Sequence, residues 1–371
     1  MPRISPSILR AAHSTSPNLA RLLPVCRDLE SAENELRWLG EHASATAPTN
    51  RAAAHRLKAM CERRRSGVPL QYILGSQPFG DLDIKCASGV LIPRPETEAY
   101  TVHLARLLKT GHHLPRTTTA TRAPEQRPPL RIVDLCTGTG CIPLLLYSLL
   151  SPSFPALDIH GVDISPRALS LSRQNLHSAL SRSQVPPPSP GRSIAFHHGD
   201  ILSTSWRHEV LPGLIPRCDV LVSNPPYISP ASWRFGRDEL SYSTRKFEPK
   251  LALVPRRVSD LPRGCRSEDV FYAALLDIAR VLEPSTALFE FGDAAQGRRI
   301  LQLALEHPFS RDAELELWRD YPDLENPGDG GVGAETSIHV VDQSGKGRVI
   351  PLRGCGNIRS IVVRKSKPRT A

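Results

Sequence analysis

The chain has 371 residues, 40% of them apolar and 23% charged, with a formal net charge of +10, and it is long enough to bury a core as one large domain or two smaller ones. No apolar run approaches the roughly 20 residues that cross a bilayer, the longest being Ile142 to Leu150, which excludes an integral membrane protein of the helical kind. Of the 47 basic residues only 8 are Lys, and the Arg are scattered, so the charge is not in itself a nucleic-acid footprint. The 8 cysteines contain no C-x-x-C pair; they fit neither a metal site nor a disulfide scaffold and point to a reducing interior. The 35 prolines, about twice average usage, predict long irregular connections.

Residues 1–27 carry Arg3, Arg10, Arg21 and Arg27 and no acid before Asp28. That composition is expected either of a transit segment or of a helix belonging to the fold, since Leu19, Leu22 and Leu23 have helical spacing. Asp28 to Arg65 reads as helical, so residues 1–68 form a small helical N-terminal domain. From Pro69 the pattern becomes a short strand pair around Phe79 to Cys86, with Gly80 and Gly89 for turns; residues 69–98 are expected to be a β-hairpin connector. Pro95 fits the first position of the next helix, with Glu96 and Glu98 where the helix dipole favours negative charge. Residues 110–129 and 182–193 read as insertions in the remaining domain, 99–371. Strands at Leu130–Leu135, Asp158–Val162, Ile194–His197, Asp219–Ser223, Ala287–Phe291 and Ile358–Arg364 are expected. They alternate with helices at Cys141–Leu150, Pro166–Ala179 and Val270–Leu282, an α/β pattern predicting a doubly wound, mostly parallel sheet.

Three strand ends carry candidate ligand-binding residues. Asp134, Cys136, Thr137, Gly138, Thr139 and Gly140 form a strand-to-helix turn of small residues, where ligands bind in such sheets. Pro143 stands where a dinucleotide fingerprint needs its third glycine and no P-loop Lys follows, so a nucleoside without a pyrophosphate suits the loop better; a close-packed structural turn is the alternative. Asp163 ends the next strand, where a carboxylate accepts from both ribose hydroxyls, unless it merely caps the following helix. Asp200 and Ile201 end a third, placed to hold an adenine amino group and ring face. Together with Asn224, which follows the next strand, they point to S-adenosyl-L-methionine.

Asn224-Pro225-Pro226-Tyr227 follows the fourth strand, at the same edge. A planar –NH₂ is a poor nucleophile because its lone pair is delocalised, and methylation requires it to be held in line with the sulfonium methyl. The Asn224 side-chain oxygen and the Pro225 carbonyl can each accept one N–H. Two prolines without N–H make the turn rigid, and Tyr227 offers a flat face and cation–π attraction to the methylsulfonium. The bland alternative is a Pro-rich turn with a buried Tyr. On residues alone the target is open: a base amino group in DNA or RNA, or a glutamine amide.

Pro69-Leu-Gln-Tyr-Ile-Leu-Gly75, Val90-Leu-Ile-Pro-Arg-Pro-Glu-Thr-Glu98, Asp134 to Gly140, Val162 to Leu169, Ser223 to Ile228 and Glu248-Pro-Lys-Leu-Ala-Leu253 resemble, in order, the blocks of the HemK/PrmC family. The resemblance implies a class I, Rossmann-like methyltransferase using S-adenosyl-L-methionine on the glutamine of the Gly-Gly-Gln motif in peptide chain release factors. It also implies a helical N-terminal domain that helps hold the release factor. The N-terminal unit, leader and insertions are expected of a fungal, mitochondrial matrix member, a cytoplasmic location being the alternative. A monomer with no stable nucleic-acid partner and no membrane attachment is expected. Departures are Cys136 in place of the loop's first glycine, Val254 to Arg266 in place of an acidic Gly-rich run, and no aromatic beside Asp200-Ile201. They keep two alternatives open: a nucleic-acid amino methyltransferase, and a non-catalytic release-factor-binding relative.

Overall fold

A computed structural model describes residues 4–111, 129–235, 240–258, 261, 265–324, 336–341, 345 and 347–365; most of the expected insertion at 110–129 lies outside them. Helices α1 (Pro6–Thr15), α2 (Pro17–Cys26), α3 (Leu29–Thr46) and α4 (Asn50–Arg65) come first, then the short α5 (Leu70–Leu74) and the hairpin β1 (Ser76–Phe79) and β2 (Leu82–Lys85). After α6 (Pro95–Lys109) come β3 (Leu130–Leu135), α7 (Cys141–Leu150), β4 (Leu157–Asp163), α8 (Pro166–Ser181) and β5 (Arg192–His198). Next are α9 (Leu211–Leu214), β6 (Val220–Ser223), α10 (Pro230–Phe235), α11 (Tyr242–Phe247) and α12 (Val270–Leu282). The chain continues through β7 (Thr286–Glu290), α13 (Ala294–Glu306), β8 (Ala313–Tyr321), β9 (Ser337–Val341), β10 (Gly347–Arg353) and β11 (Cys355–Lys365).

The helical stretch expected over 28–65 is divided. Pro48 has no N–H to continue α3, and the Thr49 hydroxyl caps α4 by accepting from the Ala52 amide at 3.2 Å. Residues 6–26 form two helices because Ser16-Pro17 starts a second one, the Ser16 hydroxyl accepting from Asn18 N. Leu19, Leu22 and Leu23 lie fully buried with Leu39, Met60 and Ile73 in the core of this bundle. The Arg64 guanidinium makes paired bonds of 2.7 and 2.8 Å to Glu35 between α4 and α3.

The main sheet has nine strands in the order β5-β4-β3-β6-β7-β11-β8-β10-β9. From β5 to β7 all pairs are parallel, whereas β11 runs antiparallel to both neighbours. Period-2 alternation divides the core into two layers. Ile132, Val220, Val222 and Trp318 pack with residues of α6 and α7, while Val133, Leu221, Phe289 and Ile361 pack with residues of α12 and α13. The order reverses between β4 and β6, on either side of β3, the switch point at which such sheets bind ligands.

The sequence reading omits α13 and β8–β10. The hairpin β1–β2 is more than a link: Phe79, Leu82 and Ile84 are buried in the α6-side core. The 182–193 segment braces it, through Arg182 to Asp83 at 2.6 Å and Gln184 Nε2 to the Asp81 carbonyl at 3.0 Å. Buried Asn175 on α8 ties β2 to the turn after β3. It accepts from Lys85 N at 2.8 Å and donates to the Thr139 carbonyl at 3.0 Å. Asn175→Ala therefore leaves buried backbone groups unpaired and is expected to lower stability by about 1–3 kcal/mol, measured by urea unfolding.

Candidate active site

The turn after β3 carries the backbone conformation that small residues permit. Cys136, Gly138 and Gly140 have φ of 64°, 56° and 78°, in the left-handed region. Gly140 is further constrained by packing, since a Cβ there would lie 2.9 Å from Ser172 Cβ and 3.0 Å from Phe196 Cζ. Cys136 adopts the same conformation with a side chain present, which costs about 1 kcal/mol and is offset by its packing against the α12-side core.

A pocket opens above this turn. Cys136, Thr137, Gly138 and Thr139 line it together with Asp163, Asp200 and Ile201 from the ends of the next two strands and with Asn224 and Pro226 from the turn after β6. Asp163 ends β4 with both oxygens engaged, Oδ2 accepting from Gly138 N at 2.9 Å and Oδ1 from Ser165 N at 2.8 Å. Ser165 itself caps α8, so Asp163 braces the turn as well as facing the pocket. Burial pushes its carboxyl pKa up, against those backbone bonds. Asp200 is paired with Arg256 at 2.5 Å and accepts from Leu202 N at 3.0 Å.

Four expected residues fall elsewhere, Pro225 being a buried residue that lines neither this pocket nor its neighbour. Asp134 shares its pleat parity with Ile132, which packs on the α6 and α7 side, and it is not among the residues lining the pocket. It is fully buried, and burial pushes its carboxyl pKa up to about 8 while the neighbouring Thr137 hydroxyl pulls the other way. Gly140 shapes the turn without lining the pocket. Tyr227 lines a different pocket, described next, and so is not placed for cation–π contact with a sulfonium in the first one.

That second pocket is a polar groove bordered by Tyr227, Ser229, Ser232, Glu268, Arg299 and Arg359, among others. The two share one wall, formed by Leu91, Arg94, Asn224 and Ala252. The wall is fixed from both sides. Buried Glu248 accepts from Arg94 Nη2 at 2.7 Å and from Ile92 N at 3.2 Å, clasping the loop before α6 to the segment that contains Ala252. Thr97 on α6 accepts from Asn224 Nδ2 at 3.2 Å. The Tyr227 hydroxyl donates to buried Glu290 at 3.3 Å, and its carbonyl accepts from Gln296 Nε2 at 3.2 Å.

Sequence reasoning missed Leu91, Ile92, Arg94, Thr97, Arg256 and Phe271, all lining the first pocket. Those at 91–97 lie in the Val90 to Glu98 block, whose specificity was visible without its location.

A doubly wound sheet with a small-residue turn, acidic residues at successive strand ends and an Asn-Pro-Pro-Tyr turn on the shared wall defines a class I methyltransferase that takes its methyl from S-adenosyl-L-methionine. The chain is 40% identical over 255 residues to the mitochondrial MRF1 N(5)-glutamine methyltransferase MTQ1 of Saccharomyces cerevisiae, a match covering 68% of each. It is 32% identical over 314 residues to the probable MRF1 mitochondrial N(5)-glutamine methyltransferase of Schizosaccharomyces pombe, covering 82% of this chain and 89% of that one. The release factor glutamine methyltransferase of Bifidobacterium longum is 29% identical over 70% of this chain and 76% of its own. The chain belongs to the family of release factor N(5)-glutamine methyltransferases, the HemK/PrmC family. No family model matches it. Among solved structures, the hMettl16 catalytic domain aligns over 83% of this chain at a TM-score of 0.37 and 14% identity, a likeness that carries no argument about the reaction.

Because strain and packing offset each other at Cys136, Cys136→Gly is expected to change stability by less than about 1 kcal/mol. Cys136→Val, with a β-branched side chain at positive φ, is expected to cost about 2 kcal/mol or more. Thermal unfolding with and without the methyl donor reads both.

Proposed function

We propose that this enzyme methylates the side-chain amide nitrogen of the glutamine in the Gly-Gly-Gln motif of a mitochondrial peptide chain release factor. The observation that carries the reading is the position of Asn224 on the wall between the pocket above the small-residue turn and an open groove. S-adenosyl-L-methionine supplies an electrophilic methyl on a sulfonium. Cys136 to Thr139, Asp163, Asp200 and Ile201 hold it in the first pocket, with Asp163 facing the ribose and Ile201 the adenine. The glutamine arrives through the groove, and Tyr227 gives its amide plane a flat surface on that side.

Asn224 Oδ1 and the Pro225 carbonyl each accept one N–H of the target amide. Pro225 and Pro226 hold that turn rigid, so the nitrogen lone pair is aimed past Asn224 into the first pocket. When bound, the donor would give its methyl to the amide nitrogen, the carbon–sulfur electron pair staying on sulfur, and the proton displaced from nitrogen would pass to water in the open groove. Both acceptors favour the positive charge developing on nitrogen. Asp134 supports the turn from beneath in this reading. The helical unit at 1–68 helps hold the release factor, and the enzyme works as a monomer in the mitochondrial matrix, without a stable nucleic-acid partner.

The test incubates purified enzyme and labelled donor with a mitochondrial release factor, with the same factor lacking the Gly-Gly-Gln glutamine, and separately with DNA and ribosomal RNA. Label is expected in the intact factor alone; label in nucleic acid but not in the factor would establish the amino-methyltransferase alternative instead. Asn224→Ala is expected to lower transfer by about 100-fold or more while donor affinity, read by calorimetry, stays within about threefold. Equal loss of both would contradict the role given to Asn224.

A further inference from the structure

An asparagine amide presents an oxygen on one side and an –NH₂ on the other, and only the oxygen can receive a target N–H. The orientation of Asn224 therefore decides whether the wall attracts or repels an amide. A chain of buried groups leads away from it. Asn224 Nδ2 donates to Thr97 Oγ1 at 3.2 Å, and Thr97 Oγ1 donates to Glu290 Oε2 at 2.6 Å. Thr97 and Glu290 are 2% and 1% exposed, so water does not substitute for either. A hydroxyl has one proton to give. With that proton committed to Glu290, Thr97 can only accept on its other side, and a rotated Asn224 would set oxygen against oxygen.

We infer that Thr97 and Glu290 are positioning residues for methyl transfer, fixing Asn224 with its oxygen toward the groove through the Glu290–Thr97–Asn224 hydrogen-bond chain. The inference deepens the proposed function and rests on its assignment of Asn224 as an acceptor. Three elements meet in the chain: the first turn of α6, the turn after β6 and the last residue of β7. Glu290 Oε1 receives the Tyr227 hydroxyl at 3.3 Å. One carboxyl at the end of β7 thus sets both the acceptor and the aromatic face that the incoming glutamine meets. Neither residue touches the reacting atoms; they act through Asn224 and Tyr227.

Thr97→Val keeps the shape and removes the hydroxyl, freeing Asn224 to rotate. It is expected to lower kcat for release-factor methylation by about 10- to 100-fold, with donor affinity measured alongside because Thr97 also lines the first pocket. Thr97→Ser, which restores the hydroxyl, is expected to return kcat to within about threefold of the parent enzyme. Thr97→Ala and Thr97→Ser both lack the γ-methyl, so their ratio isolates the hydroxyl even if the valine variant fails to bind donor; a ratio of at least about tenfold is expected. A valine variant that binds donor and turns over at the parent rate would overturn the inference, as would serine and alanine variants of equal activity. Parent enzyme that labels no release factor would instead overturn the proposed function.

Discussion

Methylating an amide nitrogen requires two molecules to reach one point from opposite sides, because the delocalised lone pair is reactive only along a narrow direction. The sheet meets that requirement through strand register. β3 and β6 are parallel neighbours with Leu135 opposite Ser223, so the small-residue turn after β3 and the Asn-Pro-Pro-Tyr turn after β6 leave the sheet at the same height and side by side. From this follows the shared wall, with Asn224 reaching from one pocket to the other.

The wall is built from segments distant in sequence. Leu91 and Arg94 precede α6, Asn224 follows β6, and Ala252 belongs to the segment after α11. The Arg94–Glu248 ion pair joins the first to the last, and Glu248 is buried enough that breaking the pair would leave a charge with few alternatives. The same segment reaches back to the helical bundle, since Ser243 on α11 donates to the Gly67 carbonyl at 2.7 Å. The bundle is thus in direct contact with the chain that runs into the groove and then into the wall.

Much of the sheet was legible because its signals are local. Leu130–Leu135, Cys141–Leu150 and Val270–Leu282 are apolar runs with clear breaks, and they fold over those residues. The Asn-Pro-Pro-Tyr turn is equally local, since proline fixes its shape wherever it lies. Strand β8 has a readable alternation of Ala313, Leu315 and Leu317 facing inward, a signal passed over, whereas β9 is short and mixed in character. Asp134 could have been placed by pleat parity with Ile132. Thr97, Arg94 and Glu290 could not have been assigned, because their roles exist only where α6, β6 and β7 converge, and no spacing in one segment records that.

Transfer depends above all on a glutamine amide entering from the groove and meeting Asn224 at the edge that both pockets share. The most direct measurement is a crystal structure of the enzyme with S-adenosyl-L-homocysteine, whose sulfur marks where the methyl departs, and a release-factor peptide containing Gly-Gly-Gln. The glutamine –NH₂ is expected between Asn224 Oδ1 and the Pro225 carbonyl, with the peptide along the Tyr227 side and the sulfur in the first pocket, in line with the nitrogen. A peptide bound away from the groove, or an Asn224 amide presenting its –NH₂ to the glutamine, would contradict this arrangement.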